Sequence, residues 1–189
     1  MSDGLRLVVA EDESIIRLDL VEALHDCGYE VVAACGRGDD AVRLVLEHEP
    51  DLAILDVKMP GMTGIDAARA ITAESSTAVV MLTAFSQREL IEEASDAGAM
   101  AYLIKPYRRH DLMAAVELAV TRRREAEALA GQMAALEEQF EERKTIERAK
   151  GILMDRNALS EGDAFRFLQR SAMSGRRRMI DIAREIVEQ

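Results

Sequence analysis

The chain has 189 residues, 49% of them apolar and 31% charged, with a net charge of −11 and only two cysteines. That length holds one ordinary domain plus a smaller one. The acidic balance excludes indiscriminate nucleic-acid binding by the chain as a whole, and no apolar run nears the roughly 20 residues needed to cross a bilayer. The first residues, Met1-Ser2-Asp3-Gly4, carry no secretory pattern, and Cys27 and Cys35 lack metal-type spacing, so a reduced, cytoplasmic protein is expected.

Five short apolar runs punctuate the first two thirds: Leu5 to Ala10, Glu30 to Ala34, Leu52 to Leu55, Val79 to Leu82 and Ala101 to Ile104. None alternates with polar residues, as expected of strands covered on both faces. Helical segments separate them. The first opens at Ser14, shows Ile16, Leu20, Leu24 and Cys27 on one stripe, and stops at Gly28. A second opens at Asp39 or Asp40 and ends by Pro50. A third opens at Thr63 or Gly64, with Ile65, Ala68 and Ile71 facing inward. Ser86-Gln87-Arg88-Glu89 has capping-box spacing for a fourth, which Gly98 closes. Alternating strands and helices predict an α/β fold with a doubly wound parallel sheet, whose site lies beyond the carboxyl ends of the strands.

Those ends carry Glu11, Asp12, Asp56, Thr83 and Lys105. Close carboxylates repel one another unless a cation sits among them. Mg2+ takes oxygen ligands, and Glu11, Asp12 and Asp56 supply them, with the backbone carbonyl of Lys58 as a further candidate. Lys105 adds a fixed positive charge, and Thr83 a hydroxyl for a phosphate oxygen. A single acid at a strand end often does no more than cap the next helix, as Asp12 or Glu13 could ahead of Ser14. Acids after two strands and a lysine after a third are harder to explain that way.

The segments Val-Val-Ala-Glu11-Asp12-Glu13, Ile-Leu-Asp56-Val-Lys-Met-Pro60-Gly61, Met-Leu-Thr83-Ala84 and Tyr102-Leu-Ile-Lys105-Pro106 resemble the receiver domain of two-component response regulators. The resemblance covers about Leu5 to Thr121 and implies a flavodoxin-like five-stranded order, 2-1-3-4-5. It implies Asp56 as phosphoacceptor from a sensor histidine kinase, Glu11 and Asp12 as the Mg2+-binding acids, Thr83 and Tyr102 as the switch pair, Lys105 as the phosphate-binding lysine, and a cis Lys105–Pro106 bond. Many members carry Asp where this chain has Glu11, whose longer side chain can reach an ion through water. Tyr102 alone reads equally well as an ordinary aromatic at a sheet edge.

From Asp111 a helical pattern continues without proline or a turn cluster to about Met154, 44 residues and about 65 Å if unbroken. Ala126, Leu129, Met133, Leu136 and Phe140 alternate spacings of three and four, a narrow coiled-coil seam that suggests a homodimer on activation. A helix folded back on its own domain is the other reading. The seam falters at Arg143 and Lys144.

Three helices fit the tail. The first ends near Arg156 with Asn157 as left-handed cap. Ser160 opens the second, with Ala164, Phe165, Leu168 and Ala172 inward and Ser174-Gly175 as the turn. Arg176 to Val187 forms the third, with Met179, Ile180, Ala183 and Val187 inward. From Glu141 to Gln189 there are 11 Lys and Arg against 9 Asp and Glu; the rest of the chain has 13 against 26. The basic candidates for nucleic-acid contact are Lys144, Arg148, Lys150, Arg156, Arg176, Arg177 and Arg178, with Arg166 and Arg170 on the same polar face, although a solvated face balanced by acids has the same composition.

The segments Ile146-Glu-Arg-Ala149-Lys150-Gly151-Ile-Leu-Met, Leu159-Ser160-Glu161-Gly-Asp-Ala164-Phe165, Leu168-Gln-Arg-Ser-Ala172-Met and Ile180-Asp-Ile-Ala183 resemble the ANTAR RNA-binding domain. That resemblance implies a small three-helix bundle binding RNA hairpins in leader transcripts. The expected organisation is a receiver domain over residues 1–121, a coiled-coil linker helix over 122–142 and an ANTAR domain over 143–189. The expected function is a phosphorylation-dependent transcription antiterminator, not an enzyme beyond its own phosphorylation and dephosphorylation. The alternatives are a DNA-binding response regulator, which would present a distinct recognition helix, and a phosphotransfer or protein-interaction module without nucleic-acid affinity.

Overall fold

The computed structural model describes residues 4–84 and 88–188, without the side chains of residues 88–91. Strands β1 (Arg6–Ala10), β2 (Glu30–Cys35), β3 (Leu52–Asp56), β4 (Ala78–Thr83) and β5 (Ala101–Ile104) form one parallel sheet in the order β2-β1-β3-β4-β5. This is the flavodoxin-like order expected. Between the strands lie α1 (Ser14–Asp26), α2 (Gly38–His48), α3 (Gly64–Glu74) and α4 (Arg88–Asp96), and α5 (Arg109–Asn157) follows β5.

Successive strand residues point to opposite faces, and both faces are covered. On one, Leu7, Val9, Leu52, Ile54, Val80 and Leu82 pack against Leu20 and Leu24 of α1 and Leu112, Val116 and Ala119 of α5. On the other, Val8, Ala53, Leu55, Val79 and Met81 meet α2, α3 and α4 through residues such as Val45, Ile71 and Ala94. Every residue of β3 and β4 is buried, which explains the absence of polar alternation in their sequences.

Three strands end one residue beyond their apolar runs: β2 at Cys35, β3 at Asp56 and β4 at Thr83. Asp56 and Thr83 close β3 and β4 because the ladder continues past them: Val57 N–H donates to Leu82 O (3.0 Å) and Lys105 N–H to Thr83 O (2.8 Å). Thr63 caps α3, its hydroxyl accepting from Asp66 N–H at 3.1 Å. Gly28 and Gly98 close α1 and α4 at φ of 84° and 87°, where a side chain would be strained. α2 ends at His48, with Glu49 left-handed ahead of Pro50. Ser86 and Gln87 of the expected capping box, and the side chains of Arg88 and Glu89, lie outside the described residues.

The chain divides into two compact units between Glu127 and Ala128. The second contains the end of α5, α6 (Glu161–Gly175) and α7 (Met179–Glu188). Its core is built from Ala149, Leu153, Ala164, Leu168 and Ala183, with Ile146, Leu159, Met179 and Val187 packed around them. Ser160 caps α6 as expected, accepting from Asp163 N–H at 3.2 Å.

Several local expectations are corrected. α5 runs through Asn157, and Ala158 takes the left-handed conformation instead. α6 continues through Ser174 and Gly175, and Arg176 is its left-handed cap, with φ of 50° and its N–H on Met173 O. α7 starts at Met179, so the arginine triplet forms the connection rather than the first turn of a helix. Phe165, expected inward, is 42% exposed, because Ala164 and Leu168 already occupy the line that faces the bundle.

Candidate functional site

The site sits where the sheet changes direction. β1 lies between β2 and β3, so the loops after β1 and β3 leave to opposite faces and open a crevice between them. Glu11, the residue after β1, is fully buried. An ionised carboxylate there needs partners, and it has them. Lys105 Nζ lies 2.6 Å from Glu11 Oε2, and Glu13 N–H donates to Oε1 at 3.3 Å. Glu13 makes no side-chain cap to α1. Asp56 is also buried, with its Oδ1 3.3 Å from Lys105 Nζ. Asp12 is exposed at the rim, yet offers an oxygen that lies, with one from Glu11 and one from Asp56, in a group spanning no more than 4.8 Å.

Three carboxylates around one ammonium leave an excess of negative charge. Burial, and then the Glu11 charge, push the Asp56 carboxyl up to about 6 despite the opposing pull of Lys105. Burial disfavours the charged form of Lys105, but its bonds to Glu11 and the charge of Asp56 outweigh that and hold its pKa above the ordinary lysine value. An all-oxygen donor set with surplus charge suits a hard divalent cation.

A cavity of about 260 Å³ opens over this cluster, lined by Asp12, Asp56, Lys58, Thr83, Ala84 and Lys105 among others. Six of the expected residues are thus brought together: Glu11, Asp12, Asp56, Lys58, Thr83 and Lys105. Tyr102 does not line this cavity. It borders a neighbouring hollow with Ile104 and Leu118, and its hydroxyl bonds Ser95. The Lys105–Pro106 bond is cis, as the resemblance implied.

Sequence reasoning missed three supports. A Cβ on Gly64 would sit 1.9 Å from Asp56 O, and one on Gly38 would sit 2.2 Å from Met62 O. Only glycine lets the loop after Asp56 fold back so closely, and Gly64 N–H closes it onto Val57 O at 3.0 Å. Arg17 of α1 donates to the backbone carbonyls of Glu11 and Asp12, pinning the acidic turn. A glycine at the start of a helical pattern hints at the first; nothing in the sequence marks Arg17.

In the second unit the basic residues differ in kind. Arg148, Arg156 and Arg176 are exposed and make no ion pair among the described residues. Lys144 pairs with Glu141 at 3.3 Å, Arg177 with Glu185 at 2.7 Å, and Arg178 with Glu142 at 3.4 Å and Asp181 at 3.7 Å, all at the surface. Lys150 departs from the expected exposed face. It is buried and held by Glu147 at 3.0 Å and Glu161 at 2.7 Å, so it ties α5 to the first turn of α6. No helix of the described residues is long and apolar enough to cross a membrane.

A parallel sheet in this order, with an acid–lysine cluster at the ends of β1, β3 and β5, defines a response-regulator receiver domain. The family pattern described as "Response regulator receiver domain" matches residues 7–117, and that described as "ANTAR domain" matches residues 134–187. The "Transcriptional regulatory protein PdtaR" of Mycobacterium tuberculosis is 51% identical over 183 residues, covering 97% of this chain and 89% of that protein. The "Chemotaxis protein CheY" of Bacillus subtilis is 31% identical over 112 residues, covering 59% of this chain and 93% of its own length. Among solved structures, the receiver domain of the putative response regulator NarL from Mycobacterium tuberculosis superposes with a TM-score of 0.60 at 32% identity, covering 62% of this chain and 97% of that one. The chain therefore belongs to the response-regulator family, as a member that joins a receiver domain to an ANTAR domain.

Proposed function

We propose that this response regulator is a phosphorylation-dependent, RNA-binding transcription antiterminator. A sensor histidine kinase phosphorylates Asp56, and the phosphoryl state controls dimerisation and the binding of RNA hairpins in leader transcripts. The observation that carries the reading is the buried Asp56 carboxylate at the floor of the cavity, 3.3 Å from Lys105 Nζ and grouped with Glu11 and Asp12.

The chemistry follows from those positions. An Asp56 oxygen attacks phosphorus, an acyl phosphate bond forms, the P–N bond to the kinase histidine breaks and the imidazole keeps its electron pair. Asp12 and Asp56, with Glu11 beside them and the Lys58 carbonyl as a further ligand, would hold Mg2+, which would supply charge neutralisation for the phosphoryl oxygens. Lys105 neutralises another oxygen and Thr83 donates its hydroxyl. Tyr102 completes the switch beside Thr83. Self-phosphorylation and hydrolysis of the acyl phosphate are the only reactions assigned; the chain turns over no metabolite.

The ANTAR match and the naming of PdtaR as a transcriptional regulatory protein support the RNA reading. Lys144, Arg148, Arg156, Arg176, Arg177 and Arg178 are all exposed, the first and the last two in surface ion pairs that a phosphate can replace, and arginine suits phosphates and stacked bases. We assign the receiver domain to residues 1–121, the linker helix to 122–142 and the RNA-binding domain to 143–189, working in the cytoplasm. The test is hairpin-RNA binding and sedimentation, with and without acetyl phosphate, for the wild type and Asp56→Asn. Tighter binding and dimerisation only in the phosphorylated wild type are expected. Equal behaviour of all samples, stronger competition by duplex DNA, or no RNA affinity at low salt overturns the proposal.

A further inference from the structure

The strand ends that carry Asp56, Thr83 and Lys105 lie on one side of the receiver unit. The opposite ends of the same three strands meet two consecutive arginines of α5. Arg123 Nη1 donates to the carbonyl of Asp51, the residue before β3, at 2.9 Å, and its Nη2 donates to Ser76 Oγ, two residues before β4, at 3.3 Å. Arg122 Nη1 donates to the carbonyl of Met100, the residue before β5, at 2.7 Å.

Two of the three acceptor residues, Asp51 and Met100, are themselves fixed. The Asp51 carbonyl also accepts from Ala78 N–H at 3.1 Å, and Met100 N–H donates to Val79 O at 2.8 Å. Arg6 N–H donates to Asp51 Oδ2 at 3.0 Å. Glu127, one turn along α5, holds Arg123 Nε at 2.8 Å and orients the guanidinium, whose side chain is only 22% exposed. Arg124, the next residue, is exposed and makes no ion pair among the described residues. The grip therefore belongs to Arg122 and Arg123 rather than to a generally basic stretch.

We propose that Arg122 and Arg123 are positioning residues that couple the phosphoryl state of Asp56 to the root of α5, by reading the relative displacement of β3, β4 and β5. This rests on the assignment of Asp56 as phosphoacceptor. The strands are short, about 13–20 Å at roughly 3.3 Å per residue, and β3 and β4 are buried throughout. Close-packed interiors have low compressibility and transmit strain. Pulling Thr83 and Lys105 toward a phosphoryl group on Asp56 shifts the strands against one another, and the acceptors at their far ends shift with them. A guanidinium is a rigid planar fork, and its bonds weaken outside a window of about 2.7–3.2 Å; the bonds to the Asp51 and Met100 carbonyls lie inside that window and the longer one to Ser76 just beyond it. A relative displacement of about 1 Å is enough to break or remake the grip. The helix that leaves the receiver domain is then held differently in the two states.

Hydrogen exchange of the α5 amides around residues 119–127, in the full chain with and without acetyl phosphate and Mg2+, tests this. The variants are Arg122→Met with Arg123→Met, which keep the aliphatic stems and remove the donors, and Asp56→Asn as control. In the wild type, phosphorylation is expected to change exchange at the α5 root by about ten-fold, the scale of one or two hydrogen bonds. In the double variant Asp56 is expected to be phosphorylated to within about two-fold of wild type by intact mass, while exchange is the same in both states. A merely structural role would speed exchange in both states and keep their ratio. Retention of the wild-type ratio in the double variant overturns the inference, as does a wild type that is phosphorylated without any change at the root. A wild type with no phosphoryl group at Asp56 overturns the phosphoacceptor reading itself.

Discussion

Asp56 was legible as a candidate site carboxylate because it ends an apolar run, and the matching positions of Glu11, Asp12 and Lys105 narrowed the chemistry proposed for it. Its environment was not legible. Burial and Glu11 raise its pKa to about 6, so the folded chain without a cation carries an unfavourable charge at neutral pH. The sign follows from linkage: the site stabilises the fold at low pH, where Asp56 is protonated, and that stability is lost as pH rises from about 4 through about 6. Asp56→Asn is accordingly expected to stabilise the cation-free protein by about 2–3 kcal/mol at pH 7.5 and by almost nothing at pH 4, in urea unfolding at both pH values. Added Mg2+ should stabilise the wild type more than the variant. Gly64 shows the opposite case, in which a residue with no chemistry decides whether the site exists. Gly64→Ala places a Cβ 1.9 Å from Asp56 O, so the strand end must move. A loss of about 3 kcal/mol or more, and failure to accept phosphate from acetyl phosphate by intact mass, are expected.

At the scale of elements, caps were the most readable feature. Thr63 and Ser160 both accept from the backbone N–H three residues on, and their sequence signature depends only on local spacing. Ser160→Ala should cost the second unit about 1 kcal/mol, seen as a lower melting temperature in far-ultraviolet circular dichroism. Helix ends were less readable. α6 runs to Gly175 because Arg176 accepts the left-handed position, with Arg176 N–H and Arg177 N–H closing on Met173 O and Ala172 O. Phe165 and Lys150 reversed their expected places for one reason. In a bundle this small the buried line is about one residue wide, and alanines with Leu153 and Leu168 fill it; the phenylalanine stays outside, while the lysine is enclosed by Glu147 and Glu161. Periodicity gives the direction of a stripe but not its width.

For the whole molecule, the apolar stripe of α5 poses the clearest test. Leu129, Met133, Leu136 and Phe140 are each between 55% and 67% exposed, at spacings suited to a second copy of the same helix. Pairing through this seam would bring two basic units to one RNA and raise avidity without new contacts. Leu136→Asp places a charge in the seam and should weaken dimerisation of the phosphorylated protein at least about ten-fold in sedimentation equilibrium, with phosphorylation of Asp56 unchanged. RNA affinity should also fall steeply with salt, in proportion to the number of phosphates neutralised.

By itself the sequence determined the order of strands and helices, the parallel sheet, the strand-end acids and lysine, and the separate basic tail. These depend on local periodicity, local punctuation and residues adjacent to them in the chain. Only the tertiary structure decided that Glu11 is the closer partner of Lys105, that Gly64 makes room for Asp56, that Lys150 is enclosed, and that Arg122 and Arg123 grip the far ends of the strands that carry the site. Each of those depends on a distance between residues remote in sequence or held apart by a loop, and such distances arise only when the strands and helices of each unit are packed together.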